Sequence, residues 1–356
     1  MKTIKFSLLA IALIASIISC KKEDTPTQPP VETTTGAYVL SEGSFNGNNT
    51  MFTYYDFGTS TPTTDFYQSM NGSGLGDTGN DMFIHGSKLY IVMNVSSYLE
   101  VDNAATAKSI KKIPLKDASS QPLKPRYVVG YKDKVFVSCW NGTVAVIDTT
   151  NLTIDKFITV GANPEQMAVV GTNLYVANSG GITPGYDSTV SVIDLNSLTE
   201  TSRITVGTNP SAMAADDAGN IYVGCTGDYS SIGPKLVKVN TTGNTITKSA
   251  DTAVGKIRFY KGLLYTTGGY LGSPYVRTLS TTDFSATSPN FVTDGTTITT
   301  PYALNIDETT GDVYIGDAKD YSSPGEVFCF DKNGKKLFSF SVSPGLNPNT
   351  VVFISK

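Results

Sequence analysis

The last residues of this 356-residue chain repeat a motif from its middle and then stop. Asn347-Pro348-Asn349-Thr350-Val351-Val352-Phe353-Ile354 matches Asn163-Pro164-Glu165-Gln166-Met167-Ala168-Val169-Val170 and Asn209-Pro210-Ser211-Ala212-Met213-Ala214-Ala215. In the middle of the chain the motif opens a unit, whereas at the end no unit follows it. A ring of repeats closed by lending the first unit its missing strand from the far end leaves such a fragment.

The unit runs for roughly 45 residues. It reads as an Asn-Pro loop, a strand, a tight turn, a strand of the type Leu-Tyr-Val-x-Asn, a variable loop, a strand of the type Val-Ser-Val-Ile-Asp, a turn, and a strand ending Ile-Thr-Val-Gly. An aromatic residue marks the second strand at Tyr38, Tyr90, Phe136, Tyr175, Tyr222, Tyr265 and Tyr314, and Asp102 or Asp148 closes the third strand of early copies. Gly86-Ser87-Lys88, Lys132-Asp133-Lys134, Gly171-Thr172-Asn173 and Ala218-Gly219-Asn220 are hairpin turns between alternating segments. No segment sustains a helical period. The expected fold is all-β, a seven-bladed β-propeller of four-stranded antiparallel blades over residues 36–356. Asn347–Ile354 should form the innermost strand of the blade that contains Tyr38 and Met51–Asp56.

Ahead of the repeats, Lys2 and Lys5 precede an apolar run, Phe6 to Ile18, of signal-peptide length and too short to span a bilayer. The run ends in Ile17-Ile18-Ser19-Cys20, which resembles a bacterial lipobox; a fortuitous cysteine behind a signal peptide is the alternative. On the lipobox reading residues 1–19 are removed, Cys20 is diacylated, and residues 20–35, rich in Thr, Pro and Glu, form a flexible tether. Cys20 is not followed by Asp. Lys21-Lys22-Glu23-Asp24 resembles the surface-export signal of Bacteroidetes lipoproteins, which implies attachment to the outer membrane, facing outward. The chain carries a net charge of −4 and loses two cations with the leader, so no field gathers nucleic acid or anionic lipid. Cys139, Cys225 and Cys329 each fall on a strand of a different unit, which favours buried thiols over a disulfide framework.

His85 is the single histidine, so neither a His-based triad nor a His-rich metal site can be built. Asp216-Asp217 and Asp307 with Asp312 flank Gly219 and Gly311, where Asp serves the turn more readily than calcium. The informative residues lie in the loops between second and third strands, which surround the channel on one face of a propeller. Every such loop holds an aromatic: Phe45, Tyr98, Trp140, Tyr186, Tyr229, Tyr270 with Tyr275, and Tyr321. Rings mixed with Gly, Ser and Asn have the composition of a binding face; packing across neighbouring blades to seal the channel is the alternative. Arg126 and Asn163, at blade junctions, add candidate polar contacts.

Leu75-Gly76-Asp77-Thr78-Gly79-Asn80-Asp81, Leu174-Tyr175-Val176-Ala177-Asn178-Ser179-Gly180-Gly181, Asp187-Ser188-Thr189-Val190-Ser191-Val192-Ile193-Asp194 and Asp317-Ala318-Lys319-Asp320-Tyr321 resemble the YncE-like propeller lipoproteins of Bacteroidetes, and within them the BtuG-type surface lipoproteins. The resemblance covers roughly residues 36–354. It implies a non-enzymatic receptor, a monomer apart from its transporter, that captures cobalamin for a TonB-dependent outer-membrane transporter. It implies no required cofactor and no metal. A protein or glycan interaction scaffold using the same face, and a lactonase-type propeller hydrolase, are the alternatives, because propellers host binders and enzymes alike.

Overall fold

A computed structural model describes residues 33–182, 185–268 and 274–355. Among these residues the strands form seven four-stranded antiparallel sheets, the blades of a β-propeller. The innermost strands, from blade 1 to blade 7, are Pro348–Ser355, Gly79–His85, Pro125–Tyr131, Pro164–Val170, Pro210–Ala215, Ile257–Tyr260 and Pro301–Ile306. Blade 1 is completed from the far end of the chain. Pro348–Ser355 pairs antiparallel with Thr34–Ser41, Tyr38 facing Val352 and Val39 facing Val351.

The periodic aromatic explains why the blades stack. Tyr38, Tyr90, Phe136, Tyr175, Tyr222, Tyr265 and Tyr314 are all buried. Each packs into the core between its own blade and the next: Tyr90 meets Val128 and Val137 of blade 3, Tyr175 meets Met213 and Val223 of blade 5, and Tyr314 meets Val39 and Val351 of blade 1. Burying one such ring is worth about 2–3 kcal/mol, so the repeat spacing places one large hydrophobic wedge per interface. Cys139, Cys225 and Cys329 are free, buried thiols within these cores. Inner hairpins turn on a residue of positive φ, Gly86, Lys132, Gly171, Gly219, Gly262 or Gly311. The Asp side chains there serve the turns: Asp216 accepts the backbone N–H of Ala218 and Asn220, and Asp307 that of Thr309.

The structure departs from the sequence expectations in two places. The connection from blade 1 to blade 2 holds a helix, Phe66–Asn71, too short to show a period in sequence. It is pinned by tertiary contacts, with Tyr67 buried and the Asn71 amide donating to the Ala107 carbonyl at 2.8 Å. In blade 2, Asp102 does not close the third strand. Asn103 does, for it pairs with Lys88 as Asp148 pairs with Lys134 and Asp194 with Asn173. Asn103 Oδ1 then accepts the turn N–H groups of Ala105 and Thr106, as Asp148 accepts those of Thr150 and Asn151.

Asp102 therefore occupies the position that Ile147 and Ile193 hold in blades 3 and 4. It and Glu100, two residues away on the same face, are both fully buried. Glu100 accepts from the Ser109 hydroxyl and lies 3.8 Å from Lys112 Nζ. Burial, and secondarily the charge of Glu100, raise the Asp102 pKa to about 9, so near neutrality Asp102 keeps its proton.

Two outcomes follow. Removing residues 347–356 leaves the Thr34–Ser41 edge unpaired and opens the ring; circular dichroism should show loss of the cooperative melt, and an unchanged melt would refute closure as a requirement. Since the folded pKa of Asp102 exceeds its unfolded value of 3.8, its stabilisation is complete below that value and declines as pH rises towards about 9. The decline is about 1.4 kcal/mol per pH unit. Urea denaturation at a series of pH values should show Asp102→Ile flattening this slope; a variant with the parental slope would remove Asp102 as the proton-binding group.

Candidate functional site

The inner strands begin on the face that also carries the loops after the second strands. There, six of the seven depart from regular pairing in the same way. A β-bulge inserts an extra residue next to the first paired one, at Asn80, Arg126–Tyr127, Glu165–Gln166, Ser211, Tyr302 and Asn349. A bulge breaks the alternation of side chains and re-aims those it displaces. Here the displaced residues are polar or aromatic, and most reach the neighbouring blade.

Asn349 of blade 1 donates to the Gly79 and Asn80 carbonyls of blade 2 at 2.8 and 3.0 Å. Asn80 in turn donates to the Arg126 carbonyl of blade 3 and accepts from the Arg126 guanidinium. Arg126 Nε binds Glu165 of blade 4 at 3.0 Å. Gln166 Oε1 accepts the Met213 N–H of blade 5 at 2.8 Å. On the other side Val351 N–H donates to Asn305 of blade 7, and the Tyr302 hydroxyl donates to Glu42. The sequence signal for this belt is the residue after the Pro that opens each inner strand, Arg126, Glu165, Ser211, Tyr302 or Asn349. Apart from Arg126, none of these was expected to contribute, because the bulge that turns them inward is a matter of pairing register.

Arg126, Trp140 and Glu165 form the best-defined group. The guanidinium lies 4.7 Å from the centre of the Trp140 ring, and the Trp140 indole N–H donates to Glu165 Oε1 at 2.8 Å, so one carboxylate receives both. Burial alone would lower the Arg126 pKa, but Glu165, with Tyr127 and Glu42 behind it, outweighs burial and holds the guanidinium above its ordinary value. Burial and then Glu165 raise the Tyr127 hydroxyl. Beside this group opens a cavity of about 240 Å³ between blades 3, 4 and 5, whose wall includes Arg126, Tyr127, Trp140, Gln166 and Tyr229.

The sequence candidates separate into distinct positions. Trp140 and Tyr229 line this cavity, and Tyr186 packs edge-on against Tyr229 at 5.9 Å. Phe45 and Tyr321 stand exposed on their loops, Tyr321 edge-on to Tyr302 at 5.9 Å. Tyr98 and Tyr275 are fastened by their hydroxyls to the Leu75 and Ala253 carbonyls, with Tyr98 lying in a strand, and act as loop ties. Asn163 is used for its backbone: it adopts φ +46°, and its carbonyl accepts the N–H and hydroxyl of Ser179. Asn209 and Asn347 share that left-handed geometry, which Asn tolerates better than most residues. Tyr270 and Cys20 lie outside the described residues. His85 binds the Lys132 carbonyl of the next blade at 2.7 Å.

The loops repeat a device that sequence inspection passed over. Asp228-Tyr229-Ser230-Ser231 and Asp320-Tyr321-Ser322-Ser323 are the same tetrapeptide in blades 5 and 7. In both, the Asp carboxylate caps following N–H groups, those of Ser230 and Ile232 or Ser322 and Ser323, while the tyrosine sits at φ +60° or +64°. A bulky residue at positive φ is uncommon, and in both loops the ring stands exposed. Gly227 permits the first loop to close, since a Cβ there would lie 2.0 Å from the Ile232 carbonyl oxygen. Of the exposed large hydrophobic residues, Phe45, Ile182, Tyr229, Ile232 and Tyr321 lie on this loop face, and the other four lie on outermost strands. Among the described residues no three His, Cys, Asp or Glu side chains gather as a metal site.

A family described as "Domain of unknown function (DUF5074)" matches residues 35–352, nearly the whole propeller. The chain belongs to the DUF5074 family. No curated protein matches this DUF5074 chain. Among solved structures it is similar to a quinonprotein alcohol dehydrogenase-like protein from Bacteroides thetaiotaomicron, at 15% identity over 90% of this chain and 79% of that one, with a TM-score of 0.67. It is also similar to a dihydro-heme d1 dehydrogenase, at 11% identity over 92% of this chain and 77% of that one with a TM-score of 0.56, and to the computationally designed Ika8 protein, at 12% identity over 88% and 95% with a TM-score of 0.56. At such identities the likeness is one of fold, and a designed protein among these structures carries no natural activity to transfer.

Removing one member of the Arg126–Glu165–Trp140 group should reveal their coupling. Glu165→Ala leaves a largely buried guanidinium unpaired and should destabilise this DUF5074 propeller by about 3 kcal/mol in urea denaturation. A double-mutant cycle of Arg126→Ala and Trp140→Ala should give about 1–2 kcal/mol of interaction, and additive losses would mean that the stacking contributes nothing.

Proposed function

We propose that this protein is a non-catalytic binding protein that holds its ligand on the loop face over the channel mouth, and that the ligand is a corrinoid such as cobalamin. The observation that carries the binding reading is the concentration of exposed aromatic and aliphatic side chains on that face, beside a cavity with a guanidinium–indole wall. Exposed apolar groups grouped at one end of a molecule mark interaction surfaces. The cavity is smaller than the 300–1,000 Å³ or so that encloses a drug-sized ligand. It therefore suits a projecting group, while the bulk of a broad ligand rests on Trp140, Tyr186, Tyr229 and Tyr321. A corrinoid, a wide ring edged with amides, has that form, and the resemblance to cobalamin-capturing lipoproteins favours it over other broad ligands.

In this reading diacylation of Cys20 anchors the protein to the outer membrane, the segment between Cys20 and the strand that begins at Thr34 serves as the tether, and the bound corrinoid passes to a transporter beneath. The exposure of Phe45 and Ile182, 74% and 73%, also suits a protein or glycan partner on the same face.

The deciding experiment is retention of cobalamin absorbance by residues 33–356 after desalting. Tyr229→Ala combined with Tyr321→Ala, both exposed rings, should weaken binding by about 2–4 kcal/mol while leaving the melting temperature nearly unchanged. Failure of the parent to retain cobalamin would refute the corrinoid assignment and leave the interaction-scaffold reading. In cells, Cys20→Ala should release the protein into the soluble fraction, and persistent membrane association would refute the lipid anchor.

A further inference from the structure

The polar belt around the channel mouth is interrupted at one blade. Side-chain bonds join the inner strands of blades 7 and 1, 1 and 2, 2 and 3, 3 and 4, and 4 and 5. Among the described residues none joins blade 6 to either neighbour at this level. In blade 6 the regular pairing spans only Ile257–Tyr260, and just ahead of it both Gly255 and Lys256 meet Thr267, the Gly255 N–H donating to its carbonyl at 3.1 Å and the Lys256 carbonyl accepting its N–H at 3.2 Å. Ile257 is buried between blades, in the core with Tyr222 and Leu264. Its neighbours Lys256 and Arg258 stand close enough for the charge of Arg258 to act on Lys256, and the Asp81 carboxylate of blade 2 acts on both.

These two cations stand together without an ion pair among the described residues. Arg258 is bonded to the carbonyl of Ile257 at 3.0 Å, and Lys256 Nζ lies 6.0 Å from the Tyr127 ring centre and 5.9 Å from that of Tyr302. The three carboxylates nearby are hydrogen-bonded elsewhere, although the charge of Asp81 still acts on both cations and that of Glu42 on Lys256. Glu165 holds Arg126 and Trp140, Glu42 accepts from Tyr302, and Asp81 accepts the Val128 N–H at 3.1 Å and the Thr350 hydroxyl at 3.4 Å. Both cations remain partly open to water. Burial, and then the charge of Arg258, lower the Lys256 pKa to about 8, and burial also lowers Arg258. Two like charges in a confined funnel raise each other's cost, and an anion between them relieves both.

We propose that Lys256 and Arg258 form an anion-recognition site in the channel mouth, which takes an oxyanion of the ligand, a phosphodiester or a carboxylate, between the Tyr127 and Tyr302 rings. The inference deepens the binding reading by assigning charge to the group that enters the channel. It differs from a general basic patch, because the protein as a whole is acidic. Binding an anion requires protonated Lys256, so affinity should fall about tenfold between pH 7 and pH 9.

The test uses residues 33–356 and two small probes at constant ionic strength against chloride: sulfate, a tetrahedral oxyanion whose charge is fixed over this range, and acetate. Sulfate should raise the melting temperature at pH 7 and much less at pH 9, and Lys256→Met should abolish the rise while Lys256→Arg keeps it without the pH dependence. Acetate matching or exceeding sulfate would assign a carboxylate ligand, and sulfate alone a phosphodiester. No effect of either anion beyond chloride, or the same effect in Lys256→Met, would overturn the site. Titration with cobalamin and with cobinamide, which lacks the phosphodiester, separates this inference from the corrinoid reading. If Lys256→Met and the parent bind both corrinoids equally, the anion site fails and the corrinoid reading stands. If neither corrinoid binds but the sulfate effect is lost in Lys256→Met, the corrinoid reading fails and the anion site stands.

Discussion

The bulge at the start of the inner strands is the constraint on which the channel mouth depends. A regular strand would send alternate side chains into the core and leave one row on the axis. One extra residue breaks that alternation and turns Asn80, Arg126, Glu165, Tyr302 and Asn349 towards their neighbours. Each then satisfies polar groups of a neighbouring blade, so hydrogen bonds join much of the narrow end of the ring. The aromatic wedges act further out, where the blades diverge and need volume between them.

This division of labour sets the chemistry available at the mouth. Most of the belt residues are occupied in holding blades together. Arg126 is the clearest example, ion-paired to Glu165, bonded to Asn80 and stacked on Trp140. Its role towards a ligand is to present a rigid, flat wall, since freeing its charge would strand Glu165 and the Trp140 N–H. Blade 6 differs because its cations, Lys256 and Arg258, make no ion pair among the described residues. Structural and recognition roles thus fall to different blades of one ring.

A second exception lies away from the channel. Asp102 and Glu100 replace residues that are apolar or small in blades 3 and 4, and the short helix Phe66–Asn71 covers the same region with Tyr67. Substituting a carboxyl for a core aliphatic is tolerated when the acid stays protonated, which links the stability of blade 2 to pH rather than to ligand.

Much of the architecture was already determined by the sequence. The Asn347–Ile354 fragment required ring closure, and the seven aromatic positions set the blade number, because hydrophobic period and turn chemistry act locally and recur in every unit. The Asp228 and Asp320 tetrapeptides were equally readable, as an Asp caps the N–H groups that follow it whatever surrounds the loop. Only the tertiary structure decided the rest. Whether a loop aromatic is exposed, as Phe45 is, or tied down, as Tyr98 and Tyr275 are, depends on which carbonyl of another segment its hydroxyl meets. Asp102 read as a turn residue until pairing placed Asn103 opposite Lys88, because a shift of one residue exchanges the faces of a strand. The belt and its interruption at blade 6 depend on bulges and on contacts between residues tens to hundreds of positions apart, and no local pattern encodes those distances.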